Sequence, residues 1–202
     1  EERWADGRWD RLQRLADELA ARKPAIIVAA PLAAVVAAAK AAPKTPIVMS
    51  VADPVVTGLV KSLARPGGLI TGVATIRYEL AEKYLELLLA AAPKMKRVGV
   101  LGDSTSAVRA STLEAVRRSV AQYQVEARFA EAAKPEDIEP ALSRLAKEGA
   151  QALVVTGGPI LRNERGRIVK LALAQRWPVV TGDSATTEEG ALLSYGADYP
   201  AL

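Results

Sequence analysis

The sequence contains no cysteine and no histidine among its 202 residues. Without cysteine, disulfide bonds and thiol chemistry are excluded, and without histidine the commonest general base and metal ligand of proteins is missing. A serine–histidine triad is excluded for the same reason. Aromatic residues are few, with Trp 3, Tyr 5 and Phe 1, so stacking on a run of bases is not expected. These absences remove much ordinary catalysis and argue against nucleic acid as a partner.

The sequence also lacks a large excess of one charge and long apolar runs. Lys+Arg 27 against Asp+Glu 23 gives a net charge of +4, and no block of like charge suggests a nucleic-acid arm or a membrane patch. The longest apolar stretches, 25–39 and 84–92, are interrupted by Pro31 or too short to span a membrane. The chain opens on Glu1-Glu2 and lacks the pattern of a secretory leader, so we expect a cytoplasmic protein or a sequence that begins after its leader.

Short apolar runs alternate with longer helical stretches almost throughout the chain. Strands are predicted at 25–29, 46–51, 69–73, 97–101, 125–130, 151–155, 178–181 and 192–195. Helices are predicted at 10–22, 31–42, 54–65, 80–92, 107–122, 136–148, 165–176 and around 188–189. This alternation predicts an α/β fold with doubly wound parallel sheets and right-handed crossovers. The polar stretch 71–78 is either a break between two sheets or an ordinary loop.

Candidate ligand loops follow the predicted strands, because ligands of doubly wound sheets bind beyond the carboxyl ends of the strands. The loops are 30–31, 50–53, 102–106, 156–159 and 182–184. Each opens a helix, where backbone N–H groups and the helix dipole favour an anion. For each loop the alternative is a helix N-cap without a ligand. For Asp53, Asp103 and Asp183 this capping role is preferred to a magnesium site. Neither glycine-rich phosphate motif is present.

Five segments carry a resemblance to a known family. They are Arg3–Leu12 (RWADGRWDRL), 46–60 with its Asp-Pro-Val, 62–72 (SLARPGGLITG), 83–88 and Gly190–Gly196 (GALLSYG). Together they resemble the ABC-transporter substrate-binding proteins of the type that includes tryptophan- and tyrosine-binding lipoproteins. Leu69 stands where the family motif has asparagine. The resemblance extends over nearly the whole chain.

The resemblance implies a type I periplasmic-binding fold, with two α/β lobes on a hinge and one small ligand in the cleft. The first lobe would be 1–75, the second 76–190, and 191–202 would start a return connection. Family members extend further at both ends, so the first lobe is expected to be incomplete. With three strands it would expose an apolar sheet edge and face.

In functional terms the resemblance implies the non-enzymatic solute-binding component of an ABC import system. Its ligand would be a small amino-acid-like molecule bound without a cofactor or metal. Its partner would be an ABC permease, its contact with the membrane peripheral at most, and its location periplasmic or otherwise extracytoplasmic. Ligand-induced hinge closure would produce the form that docks on the transporter.

Loop position and resemblance together select ten candidate ligand-binding residues. From the first lobe they are Pro31, Ser50, Ala52 and Asp53; from the second lobe they are Ser104, Thr105, Thr156, Gly157, Asp183 and Tyr195. Backbone N–H groups and hydroxyls at helix starts would hold the carboxylate of an amino acid. Asp183 is the first choice for its ammonium group and Asp53 the second.

Two other functions stay open at this stage. A transcription regulator can share the two-lobed sensor core, but it needs a DNA-binding helix-turn-helix, which these residues do not contain. An α/β enzyme with aspartate-based chemistry needs a convergent acid–base pair, and the sequence singles out none.

Overall fold

The structure is a computed structural model that describes residues 1–75 and 78–196. The chain divides into two compact units, Glu1–Ile76 and Arg77–Leu202, called here the first and the second lobe. Each lobe contains one sheet in which all paired strands are parallel. The predicted α/β fold class is thereby confirmed. The predicted crossing at 71–78 includes residues 76 and 77, which lie outside the described residues.

The first lobe is a three-stranded sheet with two helices. Its elements are a short 3₁₀ helix (Trp9–Arg11), α1 (Leu12–Ala21), β1 (Ile27–Ala29), α2 (Leu32–Ala41), β2 (Ile47–Ala52) and β3 (Ile70–Thr75). The strand order is β1-β2-β3, and β2 lies in the centre. These strands begin and end within about two residues of the predicted bounds.

Within residues 1–75 and 78–196, only one face of the first sheet is covered. Ile27, Ile47 and Met49 point into a core that also contains Val35 of α2, while α1 packs against α2. The alternate residues of the strands form the other face, on which Val28 is 77% exposed and Val73 49% exposed. The expectation of an exposed apolar face in a three-stranded first lobe therefore agrees with the structure.

The segment between β2 and β3 corrects one prediction. The sequence predicts a helix over 54–65, but the structure has turns there. The Asp53 carboxylate caps the N–H groups of Val55 and Val56, and Gly58 then adopts φ +74°. The N–H of Leu59 bonds to the carbonyl of Pro54, the six-to-one bond that closes a helix C-terminus. The helix-start signal at Asp53 and the helix-stop signal at Gly58 thus lie so close together that a single turn forms.

The second lobe is a five-stranded sheet with helices on both faces. Its elements are a short 3₁₀ helix (Tyr78–Leu80), α3 (Ala81–Ala91), β4 (Arg97–Asp103), α4 (Arg109–Tyr123), β5 (Glu126–Ala132), a 3₁₀ turn (Pro135–Asp137), α5 (Ile138–Lys147), β6 (Leu153–Val155), α6 (Pro159–Asn163), α7 (Arg165–Ala174), β7 (Val179–Thr181), α8 (Ala185–Glu188) and β8 (Leu193–Ser194). The strand order is β5-β4-β6-β7-β8. β8 lies within the predicted return connection, 191–202, of which residues 197–202 are outside the described part.

Two separate cores flank the second sheet, and β6 shows how they divide. Leu153 and Val155 pack into a core with α5 and α7, whereas Val154, which lies between them, packs into a core with α3 and α4. All three side chains are at most 5% exposed. An uninterrupted apolar run is what a strand buried on both faces requires. No helix within residues 1–75 and 78–196 is long and apolar enough to span a lipid bilayer.

Candidate functional site

The strand order of the second sheet sets the position of the site. The chain leaves β4 through α4 towards β5 and leaves β6 through α6 and α7 towards β7, in the opposite direction along the sheet. Such a reversal opens a crevice beyond the carboxyl ends of the two adjacent strands, where ligands of doubly wound sheets bind. Asp103 at the end of β4 and Thr156-Gly157 after β6 lie at this point.

An open pocket lies on one side of this point. It is open to solvent, and we call it the Asp183 pocket. Its lining residues are Val155, Thr156, Gly157, Gly158, Leu161, Arg162, Arg165, Ile168, Thr181, Asp183 and Thr186. The structure therefore brings together three predicted site residues, Thr156, Gly157 and Asp183.

A smaller pocket lies on the other side and shares Thr156 and Gly157 with the first. It is bordered by Arg109 at the start of α4 and Glu131 on β5. The Arg109 guanidinium donates two hydrogen bonds to the Glu131 carboxylate, one of them with an Nη2–Oε2 distance of 2.6 Å. This pairing raises the pKa of Arg109 above its ordinary value. It neutralises the charges of Arg109 and Glu131, while the Asp103 carboxylate also lines the smaller pocket.

Asp103 has a structural role between the two pockets. It is 2% exposed. Its Oδ1 accepts hydrogen bonds from the Thr105 N–H (2.9 Å) and hydroxyl (2.5 Å), and its Oδ2 accepts one from the Ile160 N–H (3.3 Å). Gly158 packs so closely that a Cβ atom there would lie 2.3 Å from the Cβ of Asp103. Asp103 therefore fixes the loop after β6 to the end of β4.

Three of the second-lobe hydroxyls on the predicted list donate to protein acceptors. Ser104 Oγ donates to the carbonyl of Ala132 (3.2 Å), Thr105 Oγ1 to Asp103, and Thr156 Oγ1 to the carbonyl of Leu101 (3.2 Å). A hydroxyl has one proton to donate. In this structure these three groups act as donors within the lobe and can offer a ligand only acceptor capacity.

Asp183 follows β7 and points into the Asp183 pocket with its side chain 15% exposed. Its Oδ1 accepts a hydrogen bond from the Ala185 N–H (3.3 Å), and its Oδ2 lies 3.4 Å from Nε of Arg162. One oxygen of the Asp183 carboxylate thus accepts a backbone hydrogen bond, and the other lies next to the guanidinium of Arg162.

Tyr195, the remaining predicted residue of the second lobe, follows β8. Its side chain is 45% exposed, and its backbone N–H donates to the carbonyl of Thr181 (2.9 Å). Tyr195 does not line the Asp183 pocket.

The predicted first-lobe residues lie on and just beyond the strands of the first sheet. Pro31 follows β1 after a cis peptide bond and precedes α2, and it is exposed. Ser50 and Ala52 belong to β2 rather than to the loop after it, because that strand continues to Ala52. Both are exposed on the open face of the sheet.

Asp53 is 4% exposed, and its Oδ1 accepts the N–H groups of Val55 and Val56 at 3.0 Å each. Asp53, Asp103 and Asp183 share one geometry, in which the carboxylate accepts the backbone N–H two residues later. This is the local turn that aspartate favours. All three therefore close local turns, although none is the N-cap residue of a helix, and Asp183 is the least buried of them.

The sequence interpretation missed Arg162 and Arg165. Arg162 lies on α6, a five-residue helix that the periodicity did not reveal, and Arg165 is the first residue of α7. The available signal was Gly158-Pro159, because proline at the first helical position marks a helix start. The helix that begins at Pro159 places Arg162 at the sheet edge, next to Asp183.

In parallel α/β lobes, small molecules usually bind at a polar pocket beside the reversal of the strand order. The family model of the ABC transporter substrate binding protein matches residues 3–202. The chain therefore belongs to the ABC transporter substrate-binding protein family, and the resemblance seen in the sequence is confirmed.

Individual relatives agree with this assignment. The chain is 27% identical over 191 residues to a tyrosine-binding protein of Clostridioides difficile, covering 94% of this chain and 54% of that protein. The crystal structure of a conserved domain protein from Vibrio cholerae superposes with a TM-score of 0.85 at 25% identity, covering 96% of this chain and 65% of that one. An ABC domain from Streptococcus pneumoniae in complex with L-Trp superposes with a TM-score of 0.82 at 21% identity, covering 94% and 65%. The fold is the type I periplasmic-binding fold, and the chain spans about half the length of the curated relative it matches.

Proposed function

We propose that this protein is the solute-binding component of an ABC import system and binds a small amino-acid-like molecule in a cleft between its lobes. The observation that carries the proposal is the Asp183 pocket at the strand-order reversal of the second lobe, in a chain of this family. Closure of the hinge around the ligand would give the form that an ABC permease recognises. Such a component would work outside the cytoplasm.

An amino acid is the ligand class that the charges of the pocket support. Asp183 offers a carboxylate at the pocket wall, which can pair with an ammonium group. Among the relatives, one is named as tyrosine-binding and another is in complex with L-Trp. Asp53 is a weaker candidate for the ammonium group, because it is more deeply buried and one of its oxygens already accepts two backbone N–H groups.

We propose binding without catalysis. Asp183 is the one carboxylate among the described residues that line its pocket, so these residues offer no pair of carboxylates for acid–base work. The sequence supplies neither histidine nor cysteine as a substitute.

Thermal unfolding of the protein against the standard L-amino acids tests the proposal. A ligand that binds only the folded protein raises the melting temperature, with a stabilisation of about 2.7 kcal/mol at a concentration of 100 times Kd. We expect at least one amino acid to do so. We expect Asp183→Asn to weaken its binding about 10- to 100-fold, because a hydrogen bond to a charged group is lost.

Asp17→Asn, on α1 outside the pocket, is the matched control and should leave the affinity unchanged. A cooperatively unfolding protein that no amino acid stabilises would contradict the proposed ligand class. Chemical conversion of the bound amino acid would contradict the non-catalytic role. Unchanged affinity in Asp183→Asn would refute the ammonium contact alone.

A further inference from the structure

The second sheet has one long outer strand. β5 is seven residues long, lies at one end of the strand order and, within the described part of the chain, pairs with β4 alone. β8, at the other end, has two residues. A long outer strand presents a row of backbone N–H and C=O groups to which a strand of another chain can bind. The outer edge of β5 is therefore a place where unwanted strand addition has to be prevented.

The hydrogen bonds to the inner neighbour identify the backbone groups of β5 that face outwards. The N–H of Glu126 donates to the carbonyl of Lys96, and the carbonyl of Ala132 accepts the N–H of Ser104, so the backbone groups of both β5 residues face β4. Successive residues of a strand direct these groups to opposite sides, so the even-numbered residues of β5 face β4. The outward-facing residues, called here the outer row, are Ala127, Phe129 and Glu131.

Arg144 of α5 covers the middle of the outer row. Its Nη2 donates a hydrogen bond to the carbonyl oxygen of Phe129. Its Nε lies 3.5 Å from the carboxylate of Glu148, just after the helix. An added strand would have to donate its own N–H group to the same carbonyl and would first have to displace the guanidinium. The hydrogen bond from Arg144 is charge-assisted and therefore stronger than the backbone hydrogen bond that would replace it.

Other charged groups surround the same strand. Glu126 and Arg128 form an ion pair of 2.7 Å on β5, and the Arg117 guanidinium lies over the ring of Phe129, 5.2 Å from its centroid. Charged side chains on an outer strand disfavour pairing with another chain. Among the described residues, however, Arg144 is the side chain that bonds to a backbone group of the outer row.

We propose that Arg144 protects the outer edge of β5 from strand addition by a second copy of this chain. Two copies of one strand can pair antiparallel about a two-fold axis, so each outer row would find an identical partner. Such pairing would displace Arg144 in both copies, and the cost of losing its hydrogen bond would apply twice. The inference does not depend on the proposed function, because the β5 edge does not require a ligand.

Sedimentation velocity over a range of protein concentrations compares the unmodified protein with Arg144→Ala. We expect the variant to self-associate about 10- to 100-fold more strongly, because two charge-assisted hydrogen bonds no longer oppose pairing. Arg144→Met keeps an aliphatic side chain and removes the donors, so it should associate as Arg144→Ala does. The side chain of Arg144 is 59% exposed, and cooperative urea unfolding should show that both variants fold.

Amide hydrogen exchange locates the contact between the copies. The outer-row N–H groups should exchange rapidly in the unmodified protein and become protected in the associated variants. The N–H groups of Arg128 and Ala130, which face β4, should be protected in every case. This alternation along β5 is specific to strand addition and would not follow from association through another surface.

Arg118→Ala is the matched control. Arg118 lies on α4 in the same lobe and pairs with Glu114 across one helical turn at 2.7 Å, as Arg144 does with Glu148. The change removes the same charge and the same kind of exposed ion pair but leaves the β5 edge covered. It should leave self-association unchanged.

Three results would overturn the inference. The first is that Arg144→Ala and Arg144→Met associate no more strongly than Arg118→Ala. The second is that they associate while the outer-row amides stay unprotected, which would place the contact elsewhere. The third is that the unmodified protein already pairs through the outer row, since Arg144 would then not prevent it.

Discussion

The two sheets of this protein are built from similar apolar strands, yet they differ in how they are buried. In the second lobe, Leu153 and Val154 are neighbours on β6 that pack into opposite cores, and both are at most 1% exposed. In the first lobe, Ile27 is 6% exposed and its neighbour Val28 is 77% exposed. A local run of apolar residues therefore forms a strand in both lobes without determining whether one face or two are covered.

The order of the strands explains the difference. Right-handed crossovers that proceed in one direction along a sheet place all their connections on the same face. The first sheet has the order β1-β2-β3, and Val60, from the connection between β2 and β3, joins the same core as α2. The second sheet reverses direction after β5, so α5 and α7 cover the face opposite to α3 and α4. The same reversal opens the crevice that holds the candidate site.

The largest contrast between the lobes should come from truncating strand residues. Leu153→Ala should destabilise the second lobe by about 3 kcal/mol, because a fully buried side chain leaves a cavity. Val28→Ala should change the stability of the first lobe by less than about 0.5 kcal/mol, since the side chain is already solvated. Fluorescence of the buried Trp177 during urea unfolding reports on the second lobe once Trp4 and Trp9 are replaced by phenylalanine. Amide hydrogen exchange of β2 reports on the first. Similar losses in both lobes would refute the one-face description.

A somewhat smaller effect should follow Gly72→Ala in β3. A Cβ atom there would lie 2.0 Å from the carbonyl oxygen of Met49, and the residue has φ +147°. Forcing strand β3 away from β2 should cost about 2 kcal/mol or more. Gly68→Ala is the control, because no atom lies within 4 Å of the added Cβ. Hydrogen exchange of the β2 amides should accelerate in Gly72→Ala alone, and equal acceleration in both variants would contradict the close approach.

Loss of an aspartate turn should have a moderate effect in the first lobe. Asp53→Ala removes the acceptor of the Val55 and Val56 N–H groups and should cost about 1 kcal/mol. Asp103→Ala in the second lobe removes the acceptor of three hydrogen bonds and should cost more. Urea unfolding with the probes described above measures both. The reverse order of the two losses would show that Asp103 does not anchor the loop after β6.

Exposed ion pairs should give the smallest effects, and the two lobes should not differ in them. Arg14→Gln breaks the pair with Glu18 on α1, and Arg118→Gln breaks the pair with Glu114 on α4. Each change should alter the free energy of unfolding by less than about 0.5 kcal/mol, because solvent screens the charges. A loss above about 1 kcal/mol in either lobe would show that charge, and not only apolar burial, separates the lobes.

Particular residues show how far the sequence could predict this fold and site. The strands could be predicted because a buried parallel strand is a nearly continuous run of apolar residues in the sequence. The helix at 54–65 was predicted wrongly because Asp53 supplies a start signal, while the stop at Gly58 depends on its positive φ. Asp183 was named from its position after a strand. Its partner Arg162 was not, because the two residues are 21 positions apart and meet only through the fold.

The sequence by itself determined the alternation of strands and helices, the parallel α/β class and the family, and it predicts the loops that are candidates for ligand binding. These properties depend on local patterns of apolar residues, glycine and proline, or on motifs that are contiguous in the chain. Tertiary structure alone decided which sheet face is covered, which hydroxyls donate hydrogen bonds to protein acceptors, and which cation lies beside Asp183. These depend on strand order and on distances between residues remote in sequence, and no local pattern encodes them.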